Sequence, residues 1–240
     1  MATGPGIRVD LTGLRFGADA VIGRLSFDVA PGQVVALIGP SGVGKTTLLR
    51  VLSGVERGFG GSCLVGGVPA HLAPPPGMVF QDARLLPWAD AAANLRLVRP
   101  DLTGAEVEAL LARVGLVGQA AAYPRQMSGG MQRRLGLARA LAPGSGVLLL
   151  DEPFVSLDAA LVADLQGLLR GVFADSRPTV VMVSHDPMDA ARLADRVILL
   201  SGRPAQIAGD IVLDRASDGV AADAARLAVI QTRSNAMAMP

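Results

Sequence analysis

Eight residues, Gly39-Pro40-Ser41-Gly42-Val43-Gly44-Lys45-Thr46, leave this chain few folds to choose from. Ahead of them Val34–Ile38 is a short apolar run rich in β-branched residues, the pattern of a strand buried on both faces of a parallel sheet. Behind them Lys45–Leu52 sets Leu48, Leu49 and Leu52 on one side of a helix. Strand, glycine loop and helix in that order satisfy G-x-x-x-x-G-K-[ST]. Glycines let the backbone wrap closely, so that successive N–H groups converge on an anion. The helix N-terminus adds positive potential at the same spot. Lys45 then offers a compact ammonium to β- and γ-phosphates, and the Thr46 hydroxyl can ligate Mg²⁺. The expected contacts run from Gly39 through Pro40, Ser41, Gly42, Val43, Gly44, Lys45 and Thr46 to Thr47. A chance glycine-rich turn is the plain alternative, but it requires neither the strand nor the helix. Of 22 basic residues Lys45 is the sole lysine. Coding bias accounts for the arginines. The exception sits in a loop too tight for a planar guanidinium.

Composition narrows the class further. With 22 basic against 21 acidic residues the net charge is +1, which gives no footing for a nucleic-acid partner. Cys63 stands alone, so no intrachain disulfide forms and a reducing compartment is permitted. One cysteine and two distant histidines, His71 and His185, do not assemble a structural zinc site. No run of apolar residues is long enough to span a bilayer, and the N-terminus lacks the apolar core of a secretory signal. The expectation is a soluble, intracellular chain. His71 lies in a proline-rich loop and reads as incidental.

Along the chain, apolar alternation at 7–11 and at Leu25–Val29 predicts antiparallel strands. Residues 89–141 carry alanine- and leucine-rich helical patterns. Short apolar runs return at 147–150, 180–183 and 197–200, with helical segments at about 160–173 and 187–194 between them. Strands alternating with helices imply a parallel sheet with crossovers. The expected organisation is one domain over 1–213, with a helical subdomain at about 82–142 inserted in the α/β core. A C-terminal tail over 214–240 is expected to begin as a helix and fray.

Three further places carry candidate chemistry. Asp151 and Glu152 end the run at 147–150, where ligand sites of α/β proteins lie. Alone, an apolar run ending in Asp-Glu reads as a capped strand end. Behind a phosphate loop, Asp151 can hold Mg²⁺ and Glu152 can accept a proton from an attacking water. His185 ends another strand and could hydrogen-bond a γ-phosphate, although a lone strand-edge histidine is more readily structural. Ser128, Gly129 and Gly130 precede a helix and would present a hydroxyl and bare amides to a second anion. An ordinary capped helix start explains them as well.

In this order and approximate spacing, the phosphate loop, Gln81 after a strand, Ser128-Gly129-Gly130, Asp151-Glu152, Leu157-Asp158 and His185 resemble the ATP-binding-cassette (ABC) ATPases. The resemblance covers roughly residues 7–210. It implies a P-loop NTPase core of ABC type: α/β, with a parallel sheet, a small antiparallel β subdomain and a helical insertion. It further implies ATP and Mg²⁺ as cofactors and ATP hydrolysis as the activity. Carried over by position, Phe16 matches the aromatic that stacks on adenine, its alternative being a strand core residue. Gln81 matches the residue that contacts Mg²⁺ and the attacking water. Ser128, Gly129 and Gly130 match the signature segment, which closes over ATP held by a second cassette in a homodimeric sandwich. Asp158 matches the loop linking the two sites, and His185 the switch histidine. With Lys45 and Glu152, Gln81 and His185 complete the expected catalytic set; Thr46, Gln81 and Asp151 form the metal set.

The departures are Met127 and Met131, where the signature more often has Leu and Gln, and Val155-Ser156. Segments 79–88 followed by Asn94, 128–134, 151–159 and 197–204 are similar to those of ATPases serving nitrate, sulfonate and taurine importers. The function implied is the ATPase subunit of such an importer. It would sit peripherally on the cytoplasmic face of the inner (plasma) membrane, bound to an integral permease and, through it, served by a solute-binding protein. Leu85, Leu86, Pro87 and Trp88 offer an apolar patch for that permease, unless Trp88 fills the core of the insertion. The other reading is a soluble single-cassette ATPase of an assembly or repair complex. Ser128 follows Lys45 by only 83 residues without heptads, which leaves no room for the long coiled coil of repair types.

Overall fold

The computed structural model describes residues 3–215 and 219–238. Residues 1–2, 216–218 and 239–240, among them the first and last residues of the expected 1–213 and 214–240 division, lie outside the described residues.

The chain opens with three antiparallel strands, β1 (Ile7–Phe16), β2 (Asp19–Ile22) and β3 (Leu25–Val29), and then enters β4 (Val34–Ile38) and α1 (Lys45–Leu52). It returns through β5 (Phe59–Val65) and the short β6 (Val68–Pro69), and leaves by β7 (Gly77–Val79). Helices α2 (Ala91–Arg96), α3 (Gly104–Arg113) and α4 (Gly129–Leu141) intervene before β8 (Val147–Asp151). The remainder alternates: α5 (Ala159–Ser176), β9 (Thr179–Ser184), α6 (Pro187–Leu193), β10 (Arg196–Ser201), β11 (Gln206–Val212) and α7 (Val220–Ala238).

Two sheets result. In the first, β1 pairs antiparallel with β2 and β3 along one edge and with β5 along the other. In the second the order is β11-β10-β4-β9-β8-β7, parallel except for β11 at its edge. Alternation divides the second sheet between two apolar layers, because successive side chains of a strand face opposite ways. Val35 and Leu37 of β4 join Leu48 and Leu49 of α1 and the inward residues Ile7, Val9 and Leu11 of β1. Val34, Ala36 and Ile38 face the other way, with Leu165 and Leu169 of α5 and Ala190 of α6. Burial on both faces is why β4, β8 and β9 read as continuous apolar runs.

Four of the parallel strands, β4, β7, β8 and β9, deliver candidate site residues from their C-terminal ends, the side on which open α/β sheets bind ligands. The insertion is ordered by local chemistry: Thr103 caps α3 in a reciprocal box with Glu106. Its buried Asn94 donates to the carbonyls of Leu86, Ala89 and Asp90 and accepts the Leu86 N–H, fixing that loop. Residues 220–238 form α7, which buries Ile230 in the helical layer beside α6. Strands β5 and β11 have no clear signature in the sequence, since glycines interrupt both and neither alternates cleanly. Among the described residues no helix is long and apolar enough to cross a membrane.

Candidate active site

The phosphate loop is a left-handed wrap. Gly42 and Gly44 have φ of +75° and +109°, and Gly44 caps the helix that starts at Lys45. Lys45 is only 4% exposed, and its Nζ donates to the carbonyls of Gly39 (2.7 Å) and Pro40 (3.1 Å), folding the loop around the ammonium. Burial holds its pKa below the ordinary lysine value, against the pull of Glu152 and Asp151. The Thr46 hydroxyl donates to Asp151 Oδ1 at 3.1 Å. Burial raises the Asp151 pKa, and that hydrogen bond partly offsets the rise. A hydroxyl and a carboxylate side by side are hard oxygen donors of the kind Mg²⁺ takes.

Glu152 closes the group. It has a positive φ of 48°, a left-handed conformation costing about 1–3 kcal/mol in a residue with a side chain. Its N–H donates to Val183 of β9 at 3.0 Å. Its carboxylate stands 3.9 Å from Lys45 Nζ through Oε1 and 2.6 Å from His185 Nδ1 through Oε2. With Glu152 ionised, the imidazole Nδ1–H is the donor. Side-chain contacts thus link Thr46 to Asp151 and both Lys45 and His185 to Glu152, and chain adjacency joins the two groups through Lys45-Thr46 and Asp151-Glu152. A cavity of about 230 Å³ opens here, walled by Ser41, Gly42, Thr47 and Val21 as well as by Lys45, Thr46 and Glu152.

Gln81 arrives by register. Val79 of β7 lies opposite Leu150 of β8, so Gln81 and Glu152, each two residues further on, leave adjacent strand ends. Its backbone carbonyl accepts from Arg133 of α4. The buried Arg139 of the same helix donates to the carbonyls of Ala83 (2.6 Å) and Arg84 (2.8 Å). Two arginines on α4 therefore hold the loop that follows β7. Neither stands out in a sequence where every basic residue but Lys45 is an arginine.

The remaining expected residues stand apart from this cluster. Phe16, at the end of β1, is 48% exposed and is not a strand core residue; the hairpin it belongs to also carries Val21. Ser128 caps α4, its Oγ accepting the Met131 N–H at 3.3 Å. A Cβ built on Gly130 would meet Leu161 at 3.0 Å, so this segment abuts the start of α5, where Asp158 caps the helix through the Leu161 N–H. Neither Ser128, Gly129 and Gly130 nor Asp158 lines the cavity beside Lys45. Trp88 is 75% exposed and fills no core of the insertion.

Comparison with known proteins agrees with this geometry. A family model described as ABC transporter matches residues 22–155. The chain is 42% identical over 211 residues to an aliphatic sulfonates import ATP-binding protein of Xanthomonas axonopodis pv. citri, covering 85% of this chain and 84% of that one. It is 44% identical over 210 residues to a protein of the same description from Delftia acidovorans, covering 84% and 81%. Among solved structures, the dimeric bacterial ABC transporter cassette MJ0796 superposes with a TM-score of 0.73 at 25% identity, over 87% of this chain and 99% of that one.

Proposed function

This chain belongs to the ABC transporter family of ATP-binding cassettes, and on that footing we propose that it powers the import of an aliphatic sulfonate or a chemically similar small solute. It is an ATPase that energises an importer, and it works as a dimer with a membrane permease. A nitrate or taurine substrate stays within the same reading, because the segments that resemble this subgroup do not touch the solute. The similarity to import proteins over most of the chain favours this reading over a soluble assembly factor. The peripheral position on the cytoplasmic face of the membrane and the solute-binding protein belong to the proposal. So does docking of the permease on the exposed Trp88 loop.

The observation that carries the mechanism is the chain of contacts that ties Asp151 to Thr46 and His185 to Glu152 beside the cavity that Lys45, Thr46 and Glu152 line. Lys45 and the amides of Gly42–Thr47 take the β- and γ-phosphates of ATP, with the Lys45 ammonium exchanging its loop carbonyls for phosphate oxygens. Phe16 stacks on adenine. Glu152 accepts a proton from the attacking water, oriented from one side by His185 and from the other by Gln81. Thr46, Asp151 and Gln81 are the residues that would hold Mg²⁺, which when bound offsets charge on the β- and γ-phosphates. Ser128, Gly129 and Gly130 do not line the cavity beside Lys45. They complete the site of a second copy, with Asp158 between the two sites.

The transport reading is tested by uptake of a radiolabelled alkanesulfonate in cells with and without this gene. Uptake is expected to fall to background without it and to return with the wild-type gene. Unchanged uptake removes the sulfonate assignment. The two-subunit site is tested by Ser128→Ala. Turnover is expected to fall about tenfold, the scale of one charge-assisted hydrogen bond to phosphate, while ATP affinity of the monomer stays unchanged by calorimetry. Wild-type turnover in that variant would count against the sandwich.

A further inference from the structure

Beneath His185 lies a buried polar chain that the mechanism above does not use. Asp189 of α6 is 6% exposed, and each carboxylate oxygen has a donor. Oδ2 accepts from Ser184 Oγ at 2.7 Å, and Oδ1 accepts from Gln166 Nε2 at 3.2 Å. Gln166, itself 3% exposed, accepts in turn from Arg192 at 2.9 Å. Ser184 Oγ also accepts the N–H of Asp186 at 3.0 Å. The residues on either side of His185 are therefore tied to one hydroxyl, and that hydroxyl is tied to Asp189. Burial lifts the Asp189 carboxyl to about 6, a cost that a purely apolar filler would not carry.

We infer that Asp189 is a positioning residue that sets His185 against Glu152, and that Gln166 links this setting to α5. This rests on the assignment of His185 and Glu152 to the hydrolytic step. The geometry is direct. His185 itself is half-exposed, and among the described residues its side-chain hydrogen bond is to Glu152, so its ring is aimed by the turn that carries it. That turn is closed by Ser184 and Asp189 from within. Gln166 lies two turns along α5 from the end capped by Asp158, so the helix that starts at the loop between the two sites also grips the turn that holds the histidine. A shift of α5 would be felt at His185 without any contact between Asp158 and the histidine.

The test uses Asp189→Asn, which presents an amide donor to one of two donors, in the wild-type chain and in a His185→Ala background. In the wild-type chain kcat is expected to fall about tenfold, with KM for ATP changing less than about twofold, because Asp189 does not line the phosphate cavity. In the His185→Ala background the same exchange should change the residual kcat by less than about twofold, since there is no histidine left to aim. Ser184→Ala removes the bond from its other end and carries the same comparison if Asp189→Asn does not fold. An equal loss of kcat with and without His185 overturns the inference, as does a rise in KM that accounts for the loss. If His185→Ala alone turns over ATP at the wild-type rate, the assignment of His185 fails, and the inference fails with it.

Discussion

Lys45→Arg is expected to lower kcat/KM for ATP by about 100-fold, about 2.7 kcal/mol, although the charge is kept. The reason is shape. The Lys45 ammonium is almost wholly enclosed and reaches the carbonyls of Gly39 and Pro40 at 2.7 and 3.1 Å. It is a compact donor with three hydrogens that can turn from those carbonyls to phosphate oxygens without moving its stem. A guanidinium is planar and wider, and its donors are fixed in one plane. Inside the loop the wider group would have to fit where the ammonium already lies 2.7 Å from the Gly39 carbonyl and 3.1 Å from the Pro40 carbonyl. Outside the loop it would leave two carbonyls without their donor, at about 1–3 kcal/mol for each one that stays buried. Steady-state hydrolysis and calorimetric ATP binding measure the effect, and an unchanged melting temperature shows that the fold is intact. Normal binding and hydrolysis by the arginine variant would remove the explanation offered here for the sole lysine.

What the sequence made legible was local. The phosphate loop, the apolar runs of β4, β8 and β9 and the polar residues that end them all lie in stretches whose pattern is set by neighbours a few positions away. Those stretches form the centre of the parallel sheet, and their C-terminal ends meet because adjacent strands run the same way. Strands β5 and β11 are not legible in the sequence because their pairing is decided by the partner strand. The glycine-containing run Phe59–Val65 is extended only because β1 offers it an edge. Asp189 and Gln166 are silent in the sequence for another reason. Each is an ordinary polar residue in a helical stretch, and only the crossing of α5 over α6 reveals that their side chains meet in a buried space. Trp88 was open between a core role and a surface role. Asn94 decides it by pinning the backbone of the preceding loop, which leaves the indole outside.

Glu152→Gln is expected to lower kcat by 10²–10⁴-fold, the usual range for loss of a general base, while ATP still binds. The two halves of that expectation come from different contacts. Turnover is lost because an amide cannot accept the proton of the attacking water, although it occupies nearly the same volume. It also offers His185 Nδ1–H either an oxygen or a second donor, so the 2.6 Å contact is weakened as well. Affinity is kept because the carboxylate lies 3.9 Å from Lys45, where it competes with phosphate for the ammonium. Removing that negative charge takes away a competitor and removes no phosphate ligand, so ATP binding is expected to be equal or tighter. A bound nucleotide that is not hydrolysed should hold two chains together. The ATP-loaded variant is therefore expected to elute as a dimer in size-exclusion chromatography under conditions where the nucleotide-free chain elutes as a monomer. The pattern separates a base from a structural residue: a merely destabilised site would lose affinity and turnover together. Hydrolysis at the wild-type rate would show that Glu152 is not the base. A monomer that retains ATP without hydrolysing it would keep the base and discard the sandwich held by Ser128, Gly129 and Gly130.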